Sequence, residues 1–140
     1  MKNQVFSTFS ALTLLTAAAA FGQSNAAWEA DIPFAFHAGR TIFPAGHYEV
    51  RPERAQNVML IRCLECKAAE LVIVNPVEAG KAPETSSLVF HRYNGTYFLS
   101  KVWTCGWAEG RELGPSKAER ELARNSSPGP SVVVAALVRR

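Results

Sequence analysis

From Trp28 onward, apolar and polar positions alternate over short segments that are separated by Gly, Pro and Asn. The segments are rich in β-branched and aromatic residues, and this spacing is typical of an antiparallel sheet protein. The clearest case is SLVFHRYNGTYFLSKVW, because Asn94 and Gly95 tolerate the positive φ of a two-residue type I′ turn. We therefore expect a β-hairpin around these two residues.

A second hairpin is predicted near the start of this region. In ADIPFAFHAG every second residue from Ile32 to Phe36 is apolar, so these side chains share one face of a strand. Pro33 has no N–H to donate, which favours an edge position for this strand. In TIFPAGHYEV, Pro44 and Gly46 suit a three-residue hairpin loop, and the segment is typical of a hairpin with a bulge.

The middle of the chain predicts one more strand pair and a loop. NVMLIR and ELVIVN have the length and composition of neighbouring strands, with CLEC between them. NPVEAGKAPET has two Pro and one Gly in a polar setting, so we expect a surface loop there.

One helix and a last strand are predicted near the C-terminus. In GPSKAERELARN, Ser116 can cap a helix that runs to about residue 124, and Glu119 can reach back to the cap. SVVVAALV, at about residues 131–138, is a continuous apolar run of strand length, which implies burial on both faces.

Together these elements predict a mainly β protein of about seven strands with one short helix near the C-terminal end. A small antiparallel sandwich or a partly closed barrel suits this number of strands. Because strands dominate and helical periodicity occurs once, a single β-rich domain over residues 27–140 accounts for the pattern.

The first 26 residues have a different composition. Lys2 precedes an apolar stretch from Val5 to about Gly22, and the small residues Ser24 and Ala26 have the spacing that a leader peptidase requires. We predict a secretory signal peptide over residues 1–26. The remaining chain would then be exported to the periplasm or the extracellular space, with no membrane span after cleavage.

Charge and motif content exclude several functions. The formal net charge is +3, with acids and bases interspersed, so there is no electrostatic reason to expect nucleic acid or an anionic membrane as partner. His37, His47 and His91 lack ligand spacing, and no nucleophile elbow or Gly-rich phosphate loop occurs. We therefore predict no catalytic residues, metal or cofactor.

CLEC, which contains Cys63 and Cys66, admits three interpretations. A redox centre needs a helix that begins at the first thiol, but the residues that follow predict a strand. A structural zinc site needs four ligands, and this chain offers one Cys pair and a separate Cys105. If Leu64 and Glu65 form a two-residue turn, the two thiols face each other at a distance that a disulfide tolerates. We favour a disulfide, and incidental free thiols are the alternative that stays open.

The aromatic residues are the other candidates for binding. Tyr93, Tyr97, Trp103 and Trp107 lie in or next to the Asn94 hairpin. If several of these rings share a solvent-facing surface, they can stack on sugars or receive a partner protein. The alternative is core packing. Arg92 is also placed to stack on Tyr97 across the strand pair.

Several phrases of the chain resemble a known group of proteins. They are IPFAFHAGRTIFPAGHYEV, NPVEAG, LVFHRYNGTYFLSKVW and GRELGPSKAERELAR. In these phrases the chain is similar to small exported bacterial β-rich proteins that have no established activity. The resemblance covers most of residues 27–140 and implies an envelope or secreted β-domain. CLEC lies outside the shared phrases.

The leader, the sheet pattern and the missing catalytic motifs favour a non-catalytic exported β-domain with a binding or structural role. Its partner would be an envelope protein, a glycan or a small apolar ligand. Two alternatives stay open at this point. One is a carrier of a small apolar ligand inside a partly closed barrel, and the other is a thiol oxidoreductase that uses Cys63 and Cys66.

Overall fold

The computed structural model describes residues 26–53 and 57–139, so the predicted signal peptide lies outside it except for Ala26. The strands are β1 Ala27–Ile32, β2 Phe36–Ala38, β3 Thr41–Phe43, β4 Gly46–Pro52, β5 Val58–Cys63, β6 Ala69–Glu78, β7 Ser87–Tyr93, β8 Thr96–Trp103, β9 Glu109–Leu113, β10 Val132–Ala135 and β11 Leu137–Arg139. The helix is α1, Lys117–Asn125.

The predicted class is confirmed, because the described residues form a mainly β fold with one helix. The strand count is corrected from about seven to eleven. The hydrogen-bonded order is β10-β7-β8-β9-β6-β5-β4-β1-β11, and the β2–β3 hairpin pairs with β8 beside this path. The neighbours along the path are antiparallel, whereas β2 runs parallel to β8. This arrangement is that of a sandwich or partly open barrel.

Two segments turn from one side of the sandwich to the other. β6 is ten residues long, and it pairs with β5 through its first half and with β9 through its second half. The terminal segment places β10 on β7 and β11 on β1, with only Ala136 between them. Such corner strands are how two sheets share one core. The path does not close into a continuous barrel, but one segment supplies both of its ends.

Alternating side chains from both sheets fill the core. In β1 the residues Trp28, Ala30 and Ile32 are buried, while the residues between them face outward. The centre consists of aromatic rings, and the ring of Phe36 lies 5.2 Å from Phe43 and 5.0 Å from Tyr48. These three rings are at most 1% exposed. Ring pairs at such separations add to the stabilisation that burial provides.

The first predicted turn is in the wrong place. β3 pairs with β2 and not with β4, so no hairpin forms across Pro44 and Gly46. The hairpin instead turns at Gly39, whose φ of 60° suits the first central position of a two-residue II′ turn. Gly39 also contacts β6, since a Cβ there would lie 3.1 Å from Val72 Cγ1. β1 ends before Pro33 and lies between β4 and β11, so the predicted edge position is also wrong.

The hairpin at Asn94 and Gly95 is confirmed. Both residues have positive φ, 47° and 78°, as a type I′ turn requires. Arg92 lies opposite Tyr97 with its guanidinium 5.6 Å from the ring centre. The register shifts next to Phe90, which leaves Ser100 of β8 without an opposite residue.

Two predicted segments differ in extent. NPVEAGKAPET is not a loop throughout, because β6 continues through Pro76 to Glu78. Ala79 N–H donates to the Ala108 carbonyl at 2.8 Å, so the backbone groups of the odd-numbered β6 residues point toward β9. Pro76 is even-numbered, so its missing N–H removes no hydrogen bond to β9. The sequence pattern predicts no strand at β9, because GREL lacks the β-branched residues that mark a strand.

The final apolar run is half-buried rather than buried on both faces. Val133 and Leu137 are 64% and 62% exposed. Half-buried and exposed residues alternate along β10 and β11, so only one face of this segment meets the core and no element of the described residues covers the other. The helix lies within one residue of its predicted range, with Ser116 as its cap.

Candidate functional site

Cys63 and Cys66 are joined as a disulfide at the end of β5. Their Sγ atoms are at bonding distance, and their Cα atoms are 5.3 Å apart. The predicted two-residue turn at Leu64 and Glu65 is wrong, because Cys63 N–H donates to the Ala68 carbonyl at 3.0 Å. The loop therefore has four residues, 64–67, and the bridge lies inside it.

The surroundings of this disulfide favour a structural role over a redox role. Cys63 is buried in the core, and the chain after Cys66 enters strand β6, so no helix begins at the thiols. Without a helix N-terminus the main device that acidifies a CxxC thiol is missing. Cys105 is an exposed free cysteine whose thiol donates to the Glu84 carbonyl at 3.0 Å.

The structure does not bring the four candidate aromatic residues onto one surface. Tyr97 packs against the core and stacks on Phe34 with ring centres 3.9 Å apart. Tyr93 faces the opposite side of the hairpin, where its ring lies 6.0 Å from Phe98. Trp103 is half-buried over Gly110, and Trp107 is 62% exposed in the loop after β8.

A polar network that the sequence did not predict connects α1 to the β7–β8 hairpin. Glu119 accepts from Nδ1 of His91 at 2.8 Å, and Nε2 of His91 lies 3.1 Å from the Ser100 hydroxyl. Glu119 is the buried residue of the helix, so its carboxylate does not reach back to the cap as predicted. Ser116 still accepts from the Glu119 backbone N–H at 3.2 Å. Burial and the charge of Glu119 raise the pKa of Tyr93.

This network has the connectivity of a Ser–His–carboxylate triad, but its placement favours a structural role. Ser100 is 3% exposed in the middle of a strand, so its hydroxyl is closed to a substrate. A nucleophile in such enzymes is presented on an exposed turn next to oxyanion donors. The signal for this network was the hairpin register, which puts His91 and Ser100 on one face.

A cluster of charged side chains covers the outer face of β1 and β4. His47 contacts Asp31 at 2.6 Å and Glu29 at 3.5 Å, and Glu29 also pairs with Arg139 of β11 at 2.9 Å. The hydrogen bond to Asp31 raises the pKa of His47, and partial desolvation opposes this. A cleft of about 340 Å³ opens beside these residues and Ala136. Because Asp31 and Glu29 contact different nitrogens of the ring, the two carboxylates do not converge on a common ligand point.

The outer face of β5 and β6 carries an apolar patch. We call Val58, Leu60, Leu71 and Ile73 the β5–β6 patch. Leu60 lies opposite Leu71, and Val58 lies opposite Ile73, so the four side chains are neighbours on one face. Leu71 and Ile73 are 59% and 69% exposed. The alternate residues of the same strands are buried in the core, so the four patch residues lie on the opposite face and do not belong to the core.

The first half of β6 also has an open edge. β9 pairs with β6 only from Val74 to Glu78. Cys63 N–H donates to the Ala68 carbonyl, and Val74 N–H donates to the Asn57 carbonyl. The backbone N–H and C=O groups of the even-numbered β6 residues therefore point toward β5. The backbone groups of Ala69, Leu71 and Ile73 therefore point away from β5, where no other strand of the described chain pairs with them.

Comparison with known proteins adds no relative. No protein-family model matches the chain, and neither a curated protein nor a solved structure is significantly similar to it. Within the described ranges, no group of three or more His, Cys, Asp and Glu side chains is arranged to hold a metal ion. In that same part of the chain, no helix has the length and apolar character needed to cross a membrane.

Proposed function

We propose that this protein is a non-catalytic exported β-domain that binds an apolar surface of another envelope protein through the β5–β6 patch. The observation that carries the proposal is the exposure of Leu71 and Ile73 beside Leu60, next to the charged outer face of β1 and β4. Exposed apolar side chains that adjoin one another and have polar neighbours mark interaction surfaces.

The edge of the patch supports a protein partner over a lipid or a glycan. Arg51 lies opposite Leu60, and Arg62 lies beside the patch, where it pairs with Glu49 at 3.1 Å. A small apolar centre with charged residues at its rim has the composition of a protein–protein contact. A glycan site would need aromatic rings on one solvent-facing surface, and the four candidate rings are dispersed.

Export is part of the proposal. The disulfide at Cys63 and Cys66 fits an oxidising compartment, because cytosolic thiols are kept reduced. The predicted signal peptide at residues 1–26 supports the same location. The proposal leaves periplasmic and extracellular placement as its two forms.

The two alternative functions have weaker support. A carrier of a small apolar ligand needs an internal cavity, but the centre of the core is filled by packed rings such as Phe36 and Phe43. The cleft beside His47 lies on the outer face. An oxidoreductase needs a reactive thiol, and Cys63 is buried at the end of a strand.

Photo-crosslinking in the native cell tests the proposal. A photoreactive residue at Ile73 should give one discrete adduct with a protein other than this chain, whereas the same residue at Val133, which is 64% exposed on β10, should give none. Adding Leu60→Ser should reduce the Ile73 adduct by about tenfold, because shortening an apolar anchor removes about 1–2 kcal/mol of contact free energy.

Equal adducts at Ile73 and Val133 would show that the patch has no selectivity and would overturn the proposal. Steady turnover of a substrate by the purified protein would overturn its non-catalytic part.

A further inference from the structure

We propose that two copies of this chain pair edge to edge through residues Ala69–Ile73 of β6, antiparallel and with a two-fold axis at Leu71. The inference goes beyond binding of an envelope partner, because it concerns the edge of the sheet rather than its outer face. It rests on the open edge, the hydrogen-bond phase and the self-complementary sequence of this segment.

The first argument is the backbone edge that no strand of the described residues covers. Three residues, Ala69, Leu71 and Ile73, direct N–H and C=O groups away from β5, and β9 begins only opposite Val74. An edge of this kind is a template for another strand. Of the usual protections of a sheet edge, Lys, Pro and a bulge are absent between Ala69 and Ile73, and the one charged residue, Glu70, is bonded to Thr41.

The second argument is which residues direct their backbone hydrogen-bonding groups at the free edge. In an antiparallel pair, residues that exchange two hydrogen bonds lie directly opposite each other and alternate with residues that exchange none. A two-fold axis at Leu71 sets Leu71 opposite its own copy and Ala69 opposite Ile73 of the other chain. All of these positions have their backbone groups directed at the free edge, so each can exchange both bonds.

The third argument is side-chain complementarity. The proposed register brings together only apolar residues on the outer face, and it sets Glu70 opposite Val72 rather than opposite another carboxylate. Glu70 is held inward by a hydrogen bond from the Thr41 hydroxyl. Self-complementarity of one segment is the requirement of an isologous two-fold contact.

Pairing would also enlarge the apolar face. Leu71 of each copy would lie next to the other, so the two β5–β6 patches would join into one surface across four strands. The contact is short, at five residues per chain, because the loop 64–67 and strand β9 limit it. We therefore expect a dimer that forms at micromolar concentration rather than an obligate one.

Cysteine cross-linking tests the register in the full-length exported protein. In a Cys105→Ser background, Leu71→Cys should form a disulfide-linked dimer at least tenfold faster than Ile73→Cys. The Cα atoms of a hydrogen-bonded pair are about 5.5 Å apart, inside the range for a disulfide, whereas two copies of residue 73 would be four positions apart. Mixing Ala69→Cys with Ile73→Cys should restore the cross-link.

A proline variant separates this inference from the proposed function. Ala69→Pro removes an N–H that faces the free edge at the first residue of β6, where a strand tolerates Pro, and it leaves Leu71 and Ile73 in place. Sedimentation should show loss of the dimer while the Ile73 photo-adduct with another protein persists. Cross-linking rates that are equal for Leu71→Cys, Ile73→Cys and Val133→Cys would overturn the edge pairing and leave the proposed function standing.

Discussion

Glu119 shows how a single residue can have a role that local sequence hides. Its position three residues after Ser116 predicts a capping box, and half of that motif forms through the backbone N–H. The side chain instead accepts from His91 because the helix packs on the β7–β8 hairpin. This partner is 28 residues away in the chain, so no local pattern could indicate it.

Replacing Glu119 should therefore destabilise the fold more than replacing a surface acid. We expect Glu119→Ala to lower the free energy of unfolding by about 1–3 kcal/mol, because it leaves Nδ1 of His91 without its carboxylate partner and removes the link between the helix and the hairpin. Glu121→Ala on the same helix is the matched control, because Glu121 is exposed, and it should change stability by less than about 0.5 kcal/mol. Equal effects in chemical denaturation would contradict a structural role for the network.

Among the elements, the strands with strong local signals were predicted, and those that depend on tertiary contacts were not. The hairpin at Asn94 was predicted because two adjacent residues accept positive φ. Strand β9 was missed because its residues are polar and small, and its pairing with β6 and β8 stabilises it. Of the proposed binding features, only the apolar composition of ELVIVN was visible in sequence. Its exposure depends on where β9 begins.

Gly110 provides a test of how β8 and β9 pack. A Cβ at this position would lie 2.5 Å from the Trp103 ring and 2.9 Å from the Val102 carbonyl oxygen, so the close approach requires glycine. We expect Gly110→Ala to lower the free energy of unfolding by about 1–3 kcal/mol through overpacking. Gly114→Ala is the control, because nothing lies within 4 Å of its added Cβ. A thermal shift no larger than that of the control would show that the ring moves freely.

At the scale of the whole molecule, the outer charged cluster joins three strands. His47 on β4 and Arg139 on β11 both contact Glu29 on β1, so the ion pairs span the point where the terminal strand meets the sheet. The raised pKa of His47 means that its protonated form is favoured in the folded protein. Its contribution to stability is therefore present below pH 6.5 and is lost as pH rises through the folded pKa.

Unfolding measured at several pH values should show that His47 stabilises the fold more at low pH than at high pH. The stability difference between the natural protein and His47→Gln should be larger at about pH 5.5 than at about pH 8, by less than about 1 kcal/mol because the pair is partly exposed. Comparing the two proteins at each pH cancels the contribution of His37, whose pKa burial lowers. A difference that is constant with pH would show that the His47 contacts are equally strong in both charge states.

The placement of β10 and β11 has a consequence for biosynthesis. Both ends of the strand order come from residues 132–139, which follow every other strand of the fold. Until these residues pair, a newly made chain has two unpaired sheet edges, on β7 and on β1, so the domain is completed only when this segment joins both of them.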